Sequence, residues 1–246
     1  MNAPSAIAII PARFASTRFP GKPLAPLLGK PMVQHVFERC QESGVFQEIY
    51  VATEDERIAQ AACQAGAKAL FTSPNCTTGT ERVAEALQQI SYAAHTWVVN
   101  VQGDEPALPP GALKKLVENL DANVEMATLV RPLKPEEANN PNVVKVAVSF
   151  QGRALYFSRS LIPYARSQAT PPLQGFAHIG LYAYRPTALL TMARHQPTPL
   201  EQTEALEQLR ALEMGMSLLC IPCTYSSVAV DVPEDLSLAE AALKTL

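Results

Sequence analysis

No apolar run in the 246 residues approaches the roughly 20 that a membrane-spanning helix needs, so no spanning segment is expected. The opening MNAPSAIAII has neither the basic stretch nor the long apolar stretch of a secretion signal. Basic charge is not in excess either. A net charge of −3 and a pI near 5.8 speak against nucleic acid as a partner, because proteins that bind it usually show a basic face. Cysteines are five, an odd number that suits reduced thiols and a cytoplasmic setting better than a disulfide framework. Cys220-Ile-Pro-Cys223 has C-x-x-C spacing, but no second pair or nearby histidine completes a zinc site. It falls in the apolar run 218–223, where core packing is the simpler role. Both familiar glycine-rich phosphate loops, G-x-x-x-x-G-K-[ST] and G-x-G-x-x-G, are missing. Their absence counts against a nicotinamide-dependent dehydrogenase and leaves any polyphosphate to side-chain cations, with backbone N–H groups helping.

With 48% hydrophobic and 17% charged residues, the chain is globular and long enough for a substantial core. The expectation is a single domain over 1–246, with a smaller β lobe around 140–185. Its organising stretch is 7–32. Ala6-Ile7-Ala8-Ile9-Ile10 reads as a buried strand stopped by Pro11. A loop then carries Arg13, Arg18 and Lys22 between Pro20-Gly21 and Pro23. Pro31 opens a helix with Val33, Val36, Phe37 and Cys40 on one face. Strand, basic turn and helix is the layout of a nucleotide site at the end of a parallel strand.

Strands and helices then alternate, which predicts an α/β fold with a mostly parallel sheet. Gly44 stops the first helix; 48–53 is a strand, 55–65 a helix and 67–71 a short strand. Thr78-Gly79-Thr80-Glu81 has capping-box spacing before a helix over 82–90. A helix N-terminus with hydroxyls and a free cation, Arg82, is also an anion or base-edge site. The apolar run 96–101 ends at Gly103, and Asp104 falls on the rim of the sheet facing the Arg13–Lys22 loop. Beside a polyphosphate that carboxylate is a magnesium-ligand candidate. A helix is expected from Pro109-Pro110 to Leu120 and a strand over 126–131.

From Asn140 the pattern changes: 142–149 and 154–158 are strand-like runs joined across Gln151-Gly152, the signal of a hairpin that is either an inserted lobe or an antiparallel edge. The run 164–174, with Pro171-Pro172, has no period and reads as a loop. In 176–184, His178, Gly180, Tyr182 and Tyr184 share one face of a strand. Thr198-Pro199-Leu200-Glu201 is a second capping box, with a helix expected unbroken to Glu213. Ser227 to Asp231 reads as a strand ending in an acid, and Pro233 opens the last helix.

IIPAR-x-x-STR-x-PGKPL closely resembles the opening motif of the 3-deoxy-manno-octulosonate (KDO) cytidylyltransferases, the CMP-KDO synthetases. The resemblance continues through TGTER, NVQGDEP, FSR, H-x-G-x-Y-x-Y, PLE…LEQLR and VD-x-PED, almost to the end of the sequence. It implies a Rossmann-like three-layer nucleotide-diphospho-sugar transferase fold. It implies transfer of CMP from CTP to KDO, an acidic eight-carbon sugar of lipopolysaccharide, by a magnesium-dependent homodimer. By position it implies nucleotide contacts from Ala12, Arg13, Lys22, Thr78, Gly79, Thr80 and Asp104, with Arg13, Lys22 and Asp104 catalytic. Sugar contacts fall to Arg82, Gln102, Arg159, His178, Tyr182, Glu207 and Gln208, and metal ligation to Asp104 and Asp231. Two positions depart from the family: Ala177 where Lys or Arg usually precedes the histidine, and Val232 where Thr usually follows the aspartate. The departures leave open an amino-modified octulosonate, a sialic acid or a sugar phosphate as acceptor. A non-catalytic nucleotide-binding regulator on the same fold is the alternative from another class.

Overall fold

Strand β1 (Ala6–Pro11) lies inside a nine-stranded sheet, hydrogen-bonded in parallel to β4 (Glu48–Thr53) on one side and β6 (Trp97–Asn100) on the other. The computed structural model describes residues 4–120, 122–166, 175–225 and 228–246. Between β1 and β4 a two-residue pair, β2 (Pro26–Leu27) and β3 (Lys30–Pro31), precedes α1 (Met32–Ser43). The chain continues through α2 (Glu56–Gln64), β5 (Lys68–Phe71), α3 (Gly79–Leu87), β6, α4 (Pro110–Glu118) and β7 (Met126–Pro132). Then come β8 (Lys145–Val148), β9 (Ala154–Ser158), β10 (Phe176–Tyr184) and α5 (Pro186–Arg194). The last elements are α6 (Pro199–Glu204), α7 (Gln208–Glu213), β11 (Leu218–Pro222) and α8 (Leu236–Leu243). The sheet order is β11-β7-β10-β6-β1-β4-β5, and on this path β10 alone runs against both its neighbours.

The β1 sequence explains its interior place. Ala6, Ala8 and Ile10 face one core and Ile7 and Ile9 the other, so a continuous apolar run buries both faces. The first core holds Val33, Val36, Phe37 and Cys40 of α1, with α2 and α4. The second holds α3, α5 and α7, giving three layers. Each fully buried Ile or Leu contributes roughly 2 kcal/mol to this sandwich. Gly44 closes α1 at φ 66°, where a side chain would be strained.

The hairpin is found, as an antiparallel edge of the main sheet: β8 pairs with β9, and also with β10 through Val146–Phe176 and Lys145–Ala177. Two expectations fail. The helix expected from Pro199 to Glu213 breaks at Ala205, which adopts φ 50°, and α7 restarts at Gln208. No glycine or proline marks this break; the Arg159 guanidinium fixes it by donating to the Glu204 and Ala205 carbonyls at 2.7 and 3.1 Å. The second is the strand before Asp231. Residues 228–231 form no ladder; among the described residues their one backbone–backbone bond runs from Val230 N–H to the Asp104 carbonyl at 2.8 Å. Val230 instead packs on Leu27, Met32 and Ala239 in a small third cluster. Ser227 and residues 167–174 of the expected loop, with Pro171, Pro172 and Gln174, lie outside the described residues.

Candidate active site

Two glycines build the rim. Gly21 donates its N–H to the Phe14 carbonyl at 2.9 Å with φ 70°, and a Cβ there would come within 3.0 Å of the Phe14 ring. The chain thus doubles back after Arg18 and enters a single 3-10 turn at Lys22–Leu24. Gly103 abuts the end of β1: a Cβ would lie 2.5 Å from the Pro11 carbonyl oxygen, a backbone atom that cannot move aside cheaply. This close approach brings Asp104 beside the basic loop.

Lys22 is the junction. Its ammonium donates to Asp104 Oδ2 at 2.8 Å and to the Val230 carbonyl at 2.8 Å, and lies 3.8 Å from Asp231 Oδ1. Arg18 reaches Asp231 Oδ1 at 3.0 Å. Asp231 is oriented by its neighbour: Asp235 accepts the N–H groups of Asp231 and Val232 at 2.8 and 3.1 Å, which holds the Asp235 carboxyl below its ordinary range. The cleft in front of these groups has a volume of about 350 Å³. Ala12, Arg13, Lys22, Thr78, Gly79, Arg82, Gln102, Asp104 and Asp231 all line it. Arg13 is exposed there with no ion pair among the described residues. Arg82, expected as a free cation, is not free: it is buried at 3% exposure and paired with Glu54 at 2.9 Å. Glu54 also accepts the Phe14 N–H at 2.8 Å, so Arg82 acts partly through the basic loop.

A second group of residues lies behind the cleft. Thr78 caps α3 by accepting the Glu81 N–H at 3.1 Å, while Glu81 reaches back to the N–H and hydroxyl of Thr77. The Thr78 and Thr80 hydroxyls donate to Glu207 at 3.1 and 2.6 Å. Burial raises the Glu207 carboxyl above its ordinary value, against the opposing pull of Thr80, Arg210 and Thr78. Gln208 is buried beside it at the start of α7, and Arg210 is locked to Glu201. On β10 the His178 ring meets Phe157 edge-on at 5.1 Å and Tyr182 at 5.2 Å, and Tyr182 meets Tyr184 at 5.8 Å. His178, Tyr182 and Tyr184 therefore share a face. Burial pushes the His178 imidazole down to about 3, so it is neutral at physiological pH. Ala177 is one residue out of phase with His178 and stands opposite Arg131 and Lys145, so its side chain leaves the sheet on the other face. Arg159 spends its guanidinium on the carbonyls of Pro141, Glu204 and Ala205, and its own N–H bonds Glu204 at 2.9 Å.

The structure thus gathers Ala12, Arg13, Lys22, Thr78, Gly79, Arg82, Gln102, Asp104 and Asp231 around one cleft. Thr80, Arg159, His178, Tyr182, Glu207 and Gln208 do not line it. Glu207 joins the two groups through Thr78 and Thr80. Several participants were not assigned from the sequence: Arg18 and Asp235 around Asp231, Glu54 under Arg82, and Cys76 and Thr77 in the cleft wall. The Arg18–Asp231 pair spans 213 positions, and no local pattern announces it. Among the described residues, no three His, Cys, Asp or Glu side chains gather as a self-sufficient metal site.

A family model described as cytidylyltransferase matches residues 7–218. The chain is 52% identical over 240 residues to the 3-deoxy-manno-octulosonate cytidylyltransferase of Myxococcus xanthus, covering 97% of this chain and 96% of that one. It is 47% identical to the protein of the same name from Nitratidesulfovibrio vulgaris, with 96% and 95% covered. A solved structure of CMP:2-keto-3-deoxy-manno-octonic acid synthetase complexed with CTP superposes with a TM-score of 0.90 at 36% identity, over 98% of this chain and 99% of that one. By model, identity and architecture alike, the chain belongs to the 3-deoxy-manno-octulosonate cytidylyltransferase family.

Proposed function

We propose that this chain is an enzyme that transfers CMP from CTP to KDO, releasing pyrophosphate. The sugar's anomeric oxygen bonds to the α-phosphorus, the bond from that phosphorus to the bridging oxygen breaks, and the hydroxyl proton leaves to solvent. The observation that carries the reading is the junction at Lys22, a cation shared by two carboxylates at the mouth of a cleft on the sheet rim. Lys22 and Arg13 neutralise charge on the α-phosphate and on the departing pyrophosphate, the main demand of this chemistry. The names of the relatives and the CTP in the neighbouring structure support the choice of base and acceptor.

Asp104 and Asp231 fit Mg²⁺. Both offer only oxygen, both converge on one ammonium, and two carboxylates leave the remaining positions to phosphate oxygens and water, as this ion prefers. When bound, it supplies further positive charge at the triphosphate. Arg82, Gln102, His178, Tyr182, Glu207 and Gln208 hold the acceptor, and Arg159 positions Glu207 by fixing the α6–α7 break. A homodimer through the hairpin is part of the reading, supported by Phe150 at its tip and Leu155 on strand β9, both exposed. Leu155→Lys should then yield a monomer in light scattering; a wild type already monomeric at micromolar concentration rejects the dimer. The free state of all five cysteines fits a cytoplasmic enzyme, which cell fractionation tests.

The deciding experiment is pyrophosphate release with Mg²⁺, CTP and KDO, run beside UTP, ATP and sialic acid. Release with CTP and KDO alone is the expected result. Folded protein that binds CTP and releases nothing with any acceptor overturns the reading in favour of a regulator.

A further inference from the structure

Strand β10 carries a bulge where it passes β7. Ile179 pairs with Leu129, but the next partner pair is Tyr182 with Thr128, so Gly180 and Leu181 are left out of the ladder. The carbonyls on either side of Gly180 are collected by one side chain. Thr128 Oγ1 lies 3.0 Å from the Ile179 oxygen and 2.8 Å from the Leu181 oxygen. The same atom lies 3.0 Å from His178 Nε2. Thr128 is fully buried in the strand, so no water takes part.

These three contacts settle where the protons are. A hydroxyl has one hydrogen and two lone pairs. Carbonyl oxygens only accept, so the Thr128 hydrogen points to them, and the lone pairs face His178. An unprotonated Nε2 would then set lone pair against lone pair in a site of low dielectric. Nε2 therefore carries the ring hydrogen and donates to Thr128. The imidazole is neutral, because burial opposes its second proton, so Nδ1 is bare. Nδ1 has no partner among the described residues. It is also not one of the sealed side-chain atoms there that lack a hydrogen bond, and His178 is only partly buried, so it opens to solvent.

From this we infer that Thr128 is a positioning residue that locks His178 in the Nε2–H tautomer and presents Nδ1 as a hydrogen-bond acceptor to a hydroxyl of the acceptor sugar. The inference rests on the reading above that His178 meets the sugar. It adds which chemical group His178 meets: a donor, and so a hydroxyl or an amine, never the sugar carboxylate, which a bare nitrogen repels. The carboxylate must be held elsewhere.

The test is ¹⁵N NMR of the imidazoles in histidine-labelled protein, with His178 assigned by comparison with His178→Gln. The wild type should show a protonated Nε2 and a bare Nδ1, and adding KDO with CTP should move the Nδ1 resonance as it accepts a hydrogen. Thr128→Val should mix the tautomers and raise the KM for the sugar about tenfold, the worth of one lost hydrogen bond, with kcat and the KM for CTP little changed. Thr128→Ser, which keeps the hydroxyl, should restore both. A proton on Nδ1 in the wild type overturns the inference, and so does an Nδ1 resonance that bound sugar leaves unmoved. The wild-type spectrum decides even where Thr128→Val does not fold. It also separates this inference from the proposed reaction, since the tautomer is read without turnover.

Discussion

The two halves of the site work by opposite physics. At the mouth, Arg18, Lys22, Asp104 and Asp231 stand partly in solvent and neutralise one another, with Arg13 exposed beside them. Behind it, Thr78, Thr80, Glu207, His178 and Tyr182 are held by neutral hydroxyls and ring packing. Charges in water are adaptable and weakly selective, and their pairs dissolve once a phosphate competes for them. Buried acceptors with fixed partners are costly to mismatch, and selectivity follows from that cost. In the proposed reaction the mouth would serve rate and metal, and the interior the choice of sugar.

Lys22→Ala should break the comparison most sharply. Turnover should fall about 10²-fold or more, as for loss of a donor to a transition-state anion. Stability should change by at most about 1 kcal/mol, because the pairs it leaves are partly exposed. Near-normal turnover in the folded variant removes Lys22 from the mechanism. Next comes Asp104→Asn, which should need about tenfold or more Mg²⁺ for half-maximal rate. An unchanged Mg²⁺ titration rejects Asp104 as a ligand.

Glu207→Gln tests the interior. Thr78 and Thr80 donate to different oxygens of the carboxylate, and the amide turns one of these into a donor, so the KM for the sugar should rise about tenfold while the KM for CTP holds. The same variant has a pH signature. A carboxyl whose value is raised on folding binds its proton more tightly in the native state, so it costs stability as pH rises above the ordinary 4.5 through the native value. Relative to wild type, Glu207→Gln should gain in Tm between pH 4.5 and neutrality. A difference in Tm that stays flat with pH rejects the raised value. The smallest effect should come from salt. Screening falls from a range of about 10 Å at 0.1 M to about 3 Å at 1 M, so the KM for CTP should climb with ionic strength more steeply than the KM for the sugar. Equal slopes would mean that the two halves do not differ in kind.

What the sequence discloses follows the same division. Pro11 after an apolar run, the Pro-Gly punctuation of the basic loop and the Thr78–Glu81 spacing are local signals, and each names an element correctly. The period-two runs flanking Gly152 likewise announce the β8–β9 hairpin. The junction at Lys22 is not local. It joins residues 82 and 209 positions apart, and only Gly103 against Pro11 hints that two strand ends must touch. The left-handed Ala205 was illegible for a related reason, since alanine favours helix and the break is imposed by Arg159, distant in sequence at the end of β9. Residues 228–231 look like a strand because Val228 and Val230 alternate, yet they join no strand, and Val230 packs into the third cluster instead.

Arg159 also makes the interior half mechanically dependent on the sheet edge. Its one planar group rivets the Pro141 carbonyl, just before the hairpin, to the carbonyls that end α6. A load on the hairpin therefore has a direct route through this rigid fork, beside the Ser158 and Arg159 bonds to the Glu204 carboxylate, to the peptide units two and three residues before Glu207. Amide hydrogen exchange at 204–208 would then be a gauge of anything that loads β9, read some distance from the load.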